Sequence, residues 1–333
     1  MFLSRLFRGT ALLAAFAGSI GLVGLPTSTS AAAPQVRTQA PGYYRMMLGD
    51  FEVTALLDGT HPFPVDEVMM NAAKGEVGRL LANSDVKPPV EGSINAFLVN
   101  TGSKLILIDS GAGVLYGACC GHMLENLRAS GYSPEQVDEV YLTHLHRDHV
   151  GGVDAHGSMA FPNAVVRMSK TDFDYWTNRA NQKSAPSYLS TMFDGAIDSL
   201  KPYIDAGRVK PFDSEAELSP GIHPIPSPGH TPGHTWYSVE SKGERLVVWG
   251  DVVHVAPVQF PEPSVRLKYD SDEISAERER RLIFAEAAKQ GYWIAAAHVT
   301  FPGLGHVVMD GKRYSWAPAP YTTWLNDFGK PPQ

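Results

Sequence analysis

Apolar residues in this chain fall in short runs, some alternating and some continuous, each closed by polar or turn-forming residues. Such runs predict strands over residues 43–48, 52–57, 95–100, 105–109, 139–143 and 165–168, because a strand buries every second residue, or every residue when both faces are covered. A second set predicts strands over 209–212, 222–226, 236–240, 246–249 and 293–298. Between them, apolar residues three and four apart predict helices over 122–130 and 273–289 that bury one face against a sheet, and a helical, aromatic-bearing insertion over 171–206. Two strand-rich halves with interspersed helices make an α/β (α+β) chain, and no internal repeat is visible.

With 333 residues, 44 % of them hydrophobic, the chain can bury a substantial core as one large domain, placed at 34–333. The first 33 residues differ. Arg5 and Arg8 precede the apolar run from Ala11 to Leu25, then a Ser/Thr/Ala stretch leads to Ala31-Ala32-Ala33-Pro34. This pattern predicts a signal peptide over 1–33, and hence a periplasmic or secreted protein with no stable membrane insertion after cleavage; an uncleaved anchor is the alternative. Losing Arg5 and Arg8 takes the net charge from −7 to about −9, which excludes a basic nucleic-acid-binding surface as the main theme. The two cysteines, Cys119 and Cys120, are adjacent, so a disulfide framework is excluded and free thiols with a packing role are expected.

The densest chemistry lies in Thr143-His144-Leu145-His146-Arg147-Asp148-His149, three imidazoles and a carboxylate within six residues. Extended backbone lets His144 and His146 face one ion together, and a turn at Val150-Gly151-Gly152 directs Asp148 and His149 toward a second. Further ligands follow at strand ends or rigid turns: His230 in Pro228-Gly229-His230, Asp251 after Arg245–Trp249, and His298 after 292–297. Imidazole and carboxylate donors without sulfur suit zinc first, with manganese, iron or cobalt as alternatives.

These motifs resemble the metallo-β-lactamase-fold hydrolases, and Leu105–Gly111 is similar to the early strand and Asp-Ser/Thr-Gly turn of that superfamily. Within it, Tyr43–Met46, Leu98–Lys104, Phe161–Arg167 and Phe301–His306 are similar to the methyl parathion hydrolase and dihydrocoumarin hydrolase branch. The resemblance implies a four-layer αββα sandwich, two divalent metal ions per chain, hydrolysis of activated esters, and a homodimer. On the proposed ligand set, His144, His146 and His230 hold one ion, Asp148, His149 and His298 the other, and Asp251 bridges them. Water activated by the two ions is then the nucleophile. Asp109 and His234 are expected to orient ligands from behind, and His306 to act as a further hydrogen-bonding support.

Tyr116, Trp176 and Phe193 occupy positions similar to the aromatic residues at the substrate entrance of parathion-hydrolysing relatives; packing within the insertion is the alternative for the last two. His254 and Tyr269 stand where those relatives resemble one another in having an apolar leucine and a smaller residue. A polar, fuller wall favours a planar lactone or aryl ester of the dihydrocoumarin type over a tetrahedral phosphotriester, which becomes a secondary substrate. An organophosphate hydrolase is the alternative, and a glyoxalase-type thioesterase would be told apart by activity on a glutathione thioester. A zinc β-lactamase often uses a cysteine ligand that is missing here, and a non-catalytic metal-binding protein is expected to have lost ligands, whereas all seven candidates are present.

Overall fold

The computed structural model of the protein describes residues 32–213, 216–323 and 325. The expected leader lies outside them except for its last two residues. Two units are distinguished: Met1–Gln39, whose described residues have exposed, irregular backbone, and Ala40–Gln333, which carries all the regular structure among the described residues.

The second unit begins with β1 (Tyr43–Leu48), β2 (Phe51–Phe63), β3 (Met69–Met70), β4 (Val90–Asn100), β5 (Leu105–Ile108), β6 (Glu139–Tyr141) and β7 (Val165–Arg167). All but β3 form one sheet in the order β1-β2-β4-β5-β6-β7, antiparallel as far as β5 and parallel from β5 to β7. There follow β8 (Ile222–Pro226), β9 (Thr235–Ser241), β10 (Glu244–Val248), β11 (Arg266–Leu267), β12 (Trp293–Ala295), β13 (Leu304–Asp310) and β14 (Arg313–Pro318). These make a second sheet, β14-β13-β12-β10-β9-β8, in which β10 and β12 are the parallel pair. β11 instead pairs with β3 in a separate antiparallel ribbon.

The Leu-Ile-Leu-Ile of β5 shows why the layers form. Ile106 and Ile108 join Val53, Phe97, Val248 and Leu304 in the core between the sheets, while Leu105 and Leu107 join Leu127, Trp176 and Leu200 under the helices of the first half. In β10, Leu246 and Val248 point to the same central core and Val247 points outward to Phe284 and Ile283 of the helix Glu273–Gln290. Both sheets are thus covered on both faces, which is why their strands read as continuous apolar runs. The result is the four-layer αββα sandwich that the sequence implies. Among the described residues, no helix is long and apolar enough to cross a membrane.

Helices Met123–Ala129 and Glu273–Gln290 form as expected, and the insertion resolves into Lys170–Trp176, Arg179–Ser184 and Ser190–Asp205. Asp272 caps the long helix by accepting from Ile274 and Ser275 N–H, and Gly291 ends it at φ 71°. Its buried face includes Arg280, whose guanidinium donates to the carbonyls of Val252, Pro263 and Val265. Other elements differ from expectation. Residues 209–212 contribute only isolated bridges, Val209 to Val166 and Phe212 to Ser169. β2 continues past residue 57 through a bulge at Asp58, whose carboxylate accepts from Ala112, Gly121 and Met123 N–H. The hairpin of β13 and β14 was not expected, since β14 lies at the sheet edge and its residues are only partly covered.

Candidate metal centre

The C-terminal ends of β5 and β6 build the first half of the site. Asp109 follows β5 and accepts from the backbone N–H of Thr143 at 2.8 Å, drawing the segment beyond β6 toward it. That segment is irregular through His144 and Leu145, is extended at His146 (φ −70°, ψ 156°), then becomes the one-turn helix Arg147–Val150, which carries Asp148 and His149. A helical turn therefore separates the ligand pairs, before the expected Gly151-Gly152 turn. Those glycines serve close approach: a Cβ on Gly152 would lie 1.8 Å from the Ser110 carbonyl oxygen, and one on Gly151 2.2 Å from that of Ala112.

The second sheet supplies the rest. His230 comes from the loop between β8 and β9. Asp251 follows β10 after Gly250, which sits at φ 55°. His298 follows β12, and its Nδ1 donates to the Ser93 carbonyl at 2.9 Å.

Ligand atoms of His144, His146, His230 and Asp251 lie within 4.8 Å of one another, as do those of Asp148, His149 and His298. Asp251 spans the two groups. Its Oδ1 is 2.9 Å from His149 Nε2 and 3.1 Å from His298 Nε2; its Oδ2 is 3.1 Å from His230 Nε2 and 3.6 Å from His144 Nε2. Nε2 of His144 and His149 and Oδ1 of Asp251 are buried without a hydrogen-bond partner, and Nδ1 of His146 faces the same point, 3.0 Å from His230 Nε2. Converging, desolvated lone pairs of this kind are costly unless a cation takes them up, so the residues present fit a dinuclear metal centre. A third group joins His254 to Asp251 and His298, two residues of the first two groups.

The electrostatics agree. Burial opposes charge on His230, but Asp251 and Asp270 outweigh it and raise its pKa to about 9. Burial is likewise outweighed at His149 by Asp251, Asp109 and Asp148, while burial and neighbouring imidazoles push His144 and His146 well below the usual range. Burial would raise Asp251, yet His149, His298 and His254 hold it well below the carboxylate range. The cluster demands positive charge at its centre, which protons on imidazoles supply when no ion does.

Orientation is set from behind. Asp109 accepts from His149 Nδ1 at 2.9 Å and from Thr143 Oγ1, which in turn faces His144 Nδ1 at 3.1 Å. His234, which burial pushes down to about 3, is a neutral imidazole: Nδ1 donates to the Ser227 carbonyl and Nε2 accepts from the backbone N–H of Asp251 at 3.1 Å. His306 lies elsewhere, bonded to the Tyr292 carbonyl and packed on Trp293.

Three supports were invisible to sequence reasoning. Asp270 accepts from His230 Nδ1 at 2.8 Å. Asp172 is fully buried and accepts from Leu145 N–H, Thr231 Oγ1 and Gly233 N–H; burial pushes its pKa up to about 6 against these donors. His61, on β2, sits edge-on to Tyr116 with ring centroids 5.7 Å apart.

Over the centre lies a cavity of about 350 Å³, floored by His146, Asp148, His230, Asp251 and His298 and walled by Phe63, Tyr116, Tyr188, Met192, His254 and Tyr269, among others. Of the five expected substrate contacts, Tyr116, His254 and Tyr269 line it. Trp176 and Phe193 do not: both are 0 % exposed and pack on each other at 4.6 Å, and Trp176 props the ring of His146 at 4.9 Å. Their helices bury them against the first sheet, so they stiffen the site from outside the cavity. Cys119 and Cys120 are free thiols, with Cys120 packed on Ile94 and Ala112 beside Tyr116.

Fold and site together define a metallo-β-lactamase-type centre, and the chain belongs to the metallo-β-lactamase superfamily, whose family model matches residues 89–304. Among solved structures it is similar to the hydrolase AbOPH of the β-lactamase superfamily, 39 % identical, with 86 % of this chain and 100 % of that one covered and a TM-score of 0.82. It is also similar to AidC, a dizinc quorum-quenching lactonase, at 27 % identity, 85 % and 99 % coverage and a TM-score of 0.78. A probable metallo-hydrolase of Mycobacterium tuberculosis is 24 % identical over 50 % of this chain and 64 % of its own length. An N-acyl homoserine lactonase of Bacillus thuringiensis is 25 % identical over 37 % of this chain and 40 % of its own. The chain thus spans less than two thirds of these curated relatives.

Proposed function

We propose that this protein is a dinuclear metal-dependent hydrolase of lactones and aryl esters of the dihydrocoumarin type, with phosphotriesters as secondary substrates. The observation that carries the proposal is Asp251, whose two oxygens address the two histidine groups separately, at the floor of a cavity walled by aromatic rings. His144, His146 and His230 would hold one ion and Asp148, His149 and His298 the other, with zinc the first candidate. When bound, the ions supply Lewis acidity and lower the pKa of water. The chain's own groups do the rest. Asp109 and Asp270 keep Nδ1 of His149 and His230 occupied, so that Nε2 of each points inward. Tyr116, held protonated by burial and by Asp148 beside it, offers a neutral hydroxyl donor at the wall. His254, pushed down to about 4 by burial, is neutral and donates Nε2–H to Asp251 Oδ2 at 2.9 Å. Its ring stacks with those of Phe63 and His298 at centroid distances of 6.0 and 5.1 Å, so these three rings together form one side of the cavity wall.

Likeness to lactonases supports the lactone half of this reading. The test is kcat/KM for dihydrocoumarin, N-hexanoyl homoserine lactone and methyl parathion on protein whose metal content has been counted. A higher value for either lactone supports the proposal, and a higher value for the triester replaces it with an organophosphate hydrolase. Stripping the metal with a chelator is expected to abolish all three activities, and zinc to restore them; turnover by metal-free protein would refute the dinuclear mechanism.

His254→Leu is expected to shift the ratio of triester to dihydrocoumarin turnover upward by about tenfold, the effect of 1–2 kcal/mol in transition-state binding. Parallel changes in both rates would show that His254 acts on the centre and not on substrate choice.

A further inference from the structure

We propose that Asp172 is a positioning residue that clamps one metal subsite, that of His144, His146 and His230, and leaves the other to Asp109. This rests on the dinuclear reading above. Asp172 opens the helical insertion, far in sequence from every ligand, yet its carboxylate joins the two loops that supply this subsite. Oδ2 accepts from Leu145 N–H at 3.1 Å, the peptide between His144 and His146, and from Thr231 Oγ1 at 2.9 Å, next to His230. Oδ1 accepts from Gly233 N–H at 2.6 Å.

The fit is close on every side. A Cβ on Gly233 would lie 2.4 Å from the backbone nitrogen of Asp172, so the loop presses directly on the start of the insertion helix. Four residues on, Trp176 packs against His146 itself. A fully buried carboxylate that spends its acceptors on the backbone and hydroxyl of two ligand loops fixes the spacing of His146 and His230, whose Nδ1 and Nε2 lie 3.0 Å apart. The ligands of the other subsite are oriented by Asp109 and the Ser93 carbonyl, with no contribution from Asp172 among the contacts described.

The test counts zinc per chain in wild type, Asp172→Asn, Asp172→Asn/His146→Ala and Asp172→Asn/Asp109→Asn across a series of chelator concentrations. Where wild type keeps about two ions, Asp172→Asn is expected to keep about one, because loss of an outer support costs 10–100-fold in metal affinity. At chelator concentrations where Asp172→Asn has already lost that ion, adding His146→Ala should release no further zinc, since it acts on the same subsite, whereas adding Asp109→Asn should empty the centre. Should Asp172→Asn not fold, Thr231→Val removes a single donor and is expected to weaken the same ion by about tenfold. A wild-type zinc curve for Asp172→Asn or Thr231→Val, or simultaneous loss of both ions in either, overturns the clamp. Zinc counting needs no substrate, so a wild type that holds two ions yet cleaves no lactone or ester overturns the function alone.

Discussion

Asp251→Ala is expected to reduce kcat/KM on every substrate by at least about 10³-fold, because several kcal/mol of charge stabilisation depend on both ions being held together. Metal content should fall in the same preparation. The carboxylate is 4 % exposed and faces five imidazoles within reach of its two oxygens. Removing it leaves those rings, and any cations among them, without their shared counter-charge. Steady-state kinetics with elemental analysis on one sample checks this, and unimpaired turnover would remove Asp251 from the mechanism.

Gly250→Ala is expected to lower stability and disturb the site together, because the added methyl would meet two side chains that support the proposed ligands. Gly250 lies at φ 55°, and its missing Cβ would stand 2.6 Å from His234 Nε2 and 2.8 Å from Thr143 Oγ1. Left-handed backbone costs an ordinary residue about 1–2 kcal/mol and overpacking about 1–3, so a loss near 3 kcal/mol is expected. Gly243→Ala makes the comparison, since Gly243 has φ 82° but nothing within 4 Å of its Cβ position. Denaturant unfolding of both variants isolates the collision. Equal losses would mean that the backbone conformation alone sets the cost. Activity should fall further than stability in Gly250→Ala, because His234 also holds the backbone of Asp251.

Why parts of this site were legible follows from how each residue acts. His144 to His149 are legible because rare ligand types crowd into one stretch, and His230, Asp251 and His298 because each terminates a strand or sits in a Pro/Gly turn. Asp172 and Asp270 carry no such mark. Each is a lone carboxylate among 35 acidic residues, and its role exists only once distant loops meet it. Aromatic residues in a helical insertion pose a different problem: spacing shows that Trp176 and Phe193 face something, but cannot tell a cavity from a core. The four layers were expected from the family resemblance; the continuous apolar runs of β5 and β10 by themselves mark only strands covered on both faces. The β13–β14 hairpin was not expected, since an edge strand needs only partial cover and writes only a partial pattern. Residues 209–212 look like a strand yet make only isolated bridges.

Tyr269 and Asp270 are neighbours in the chain with separate duties: the first walls the cavity, the second holds His230. Both follow β11, which is tied to β3 by the two-stranded ribbon. On the proposed reading, redesigning that corner to admit a wider leaving group would strain the tether of His230, and breadth of substrate and tenacity for metal would trade against each other across a single peptide bond.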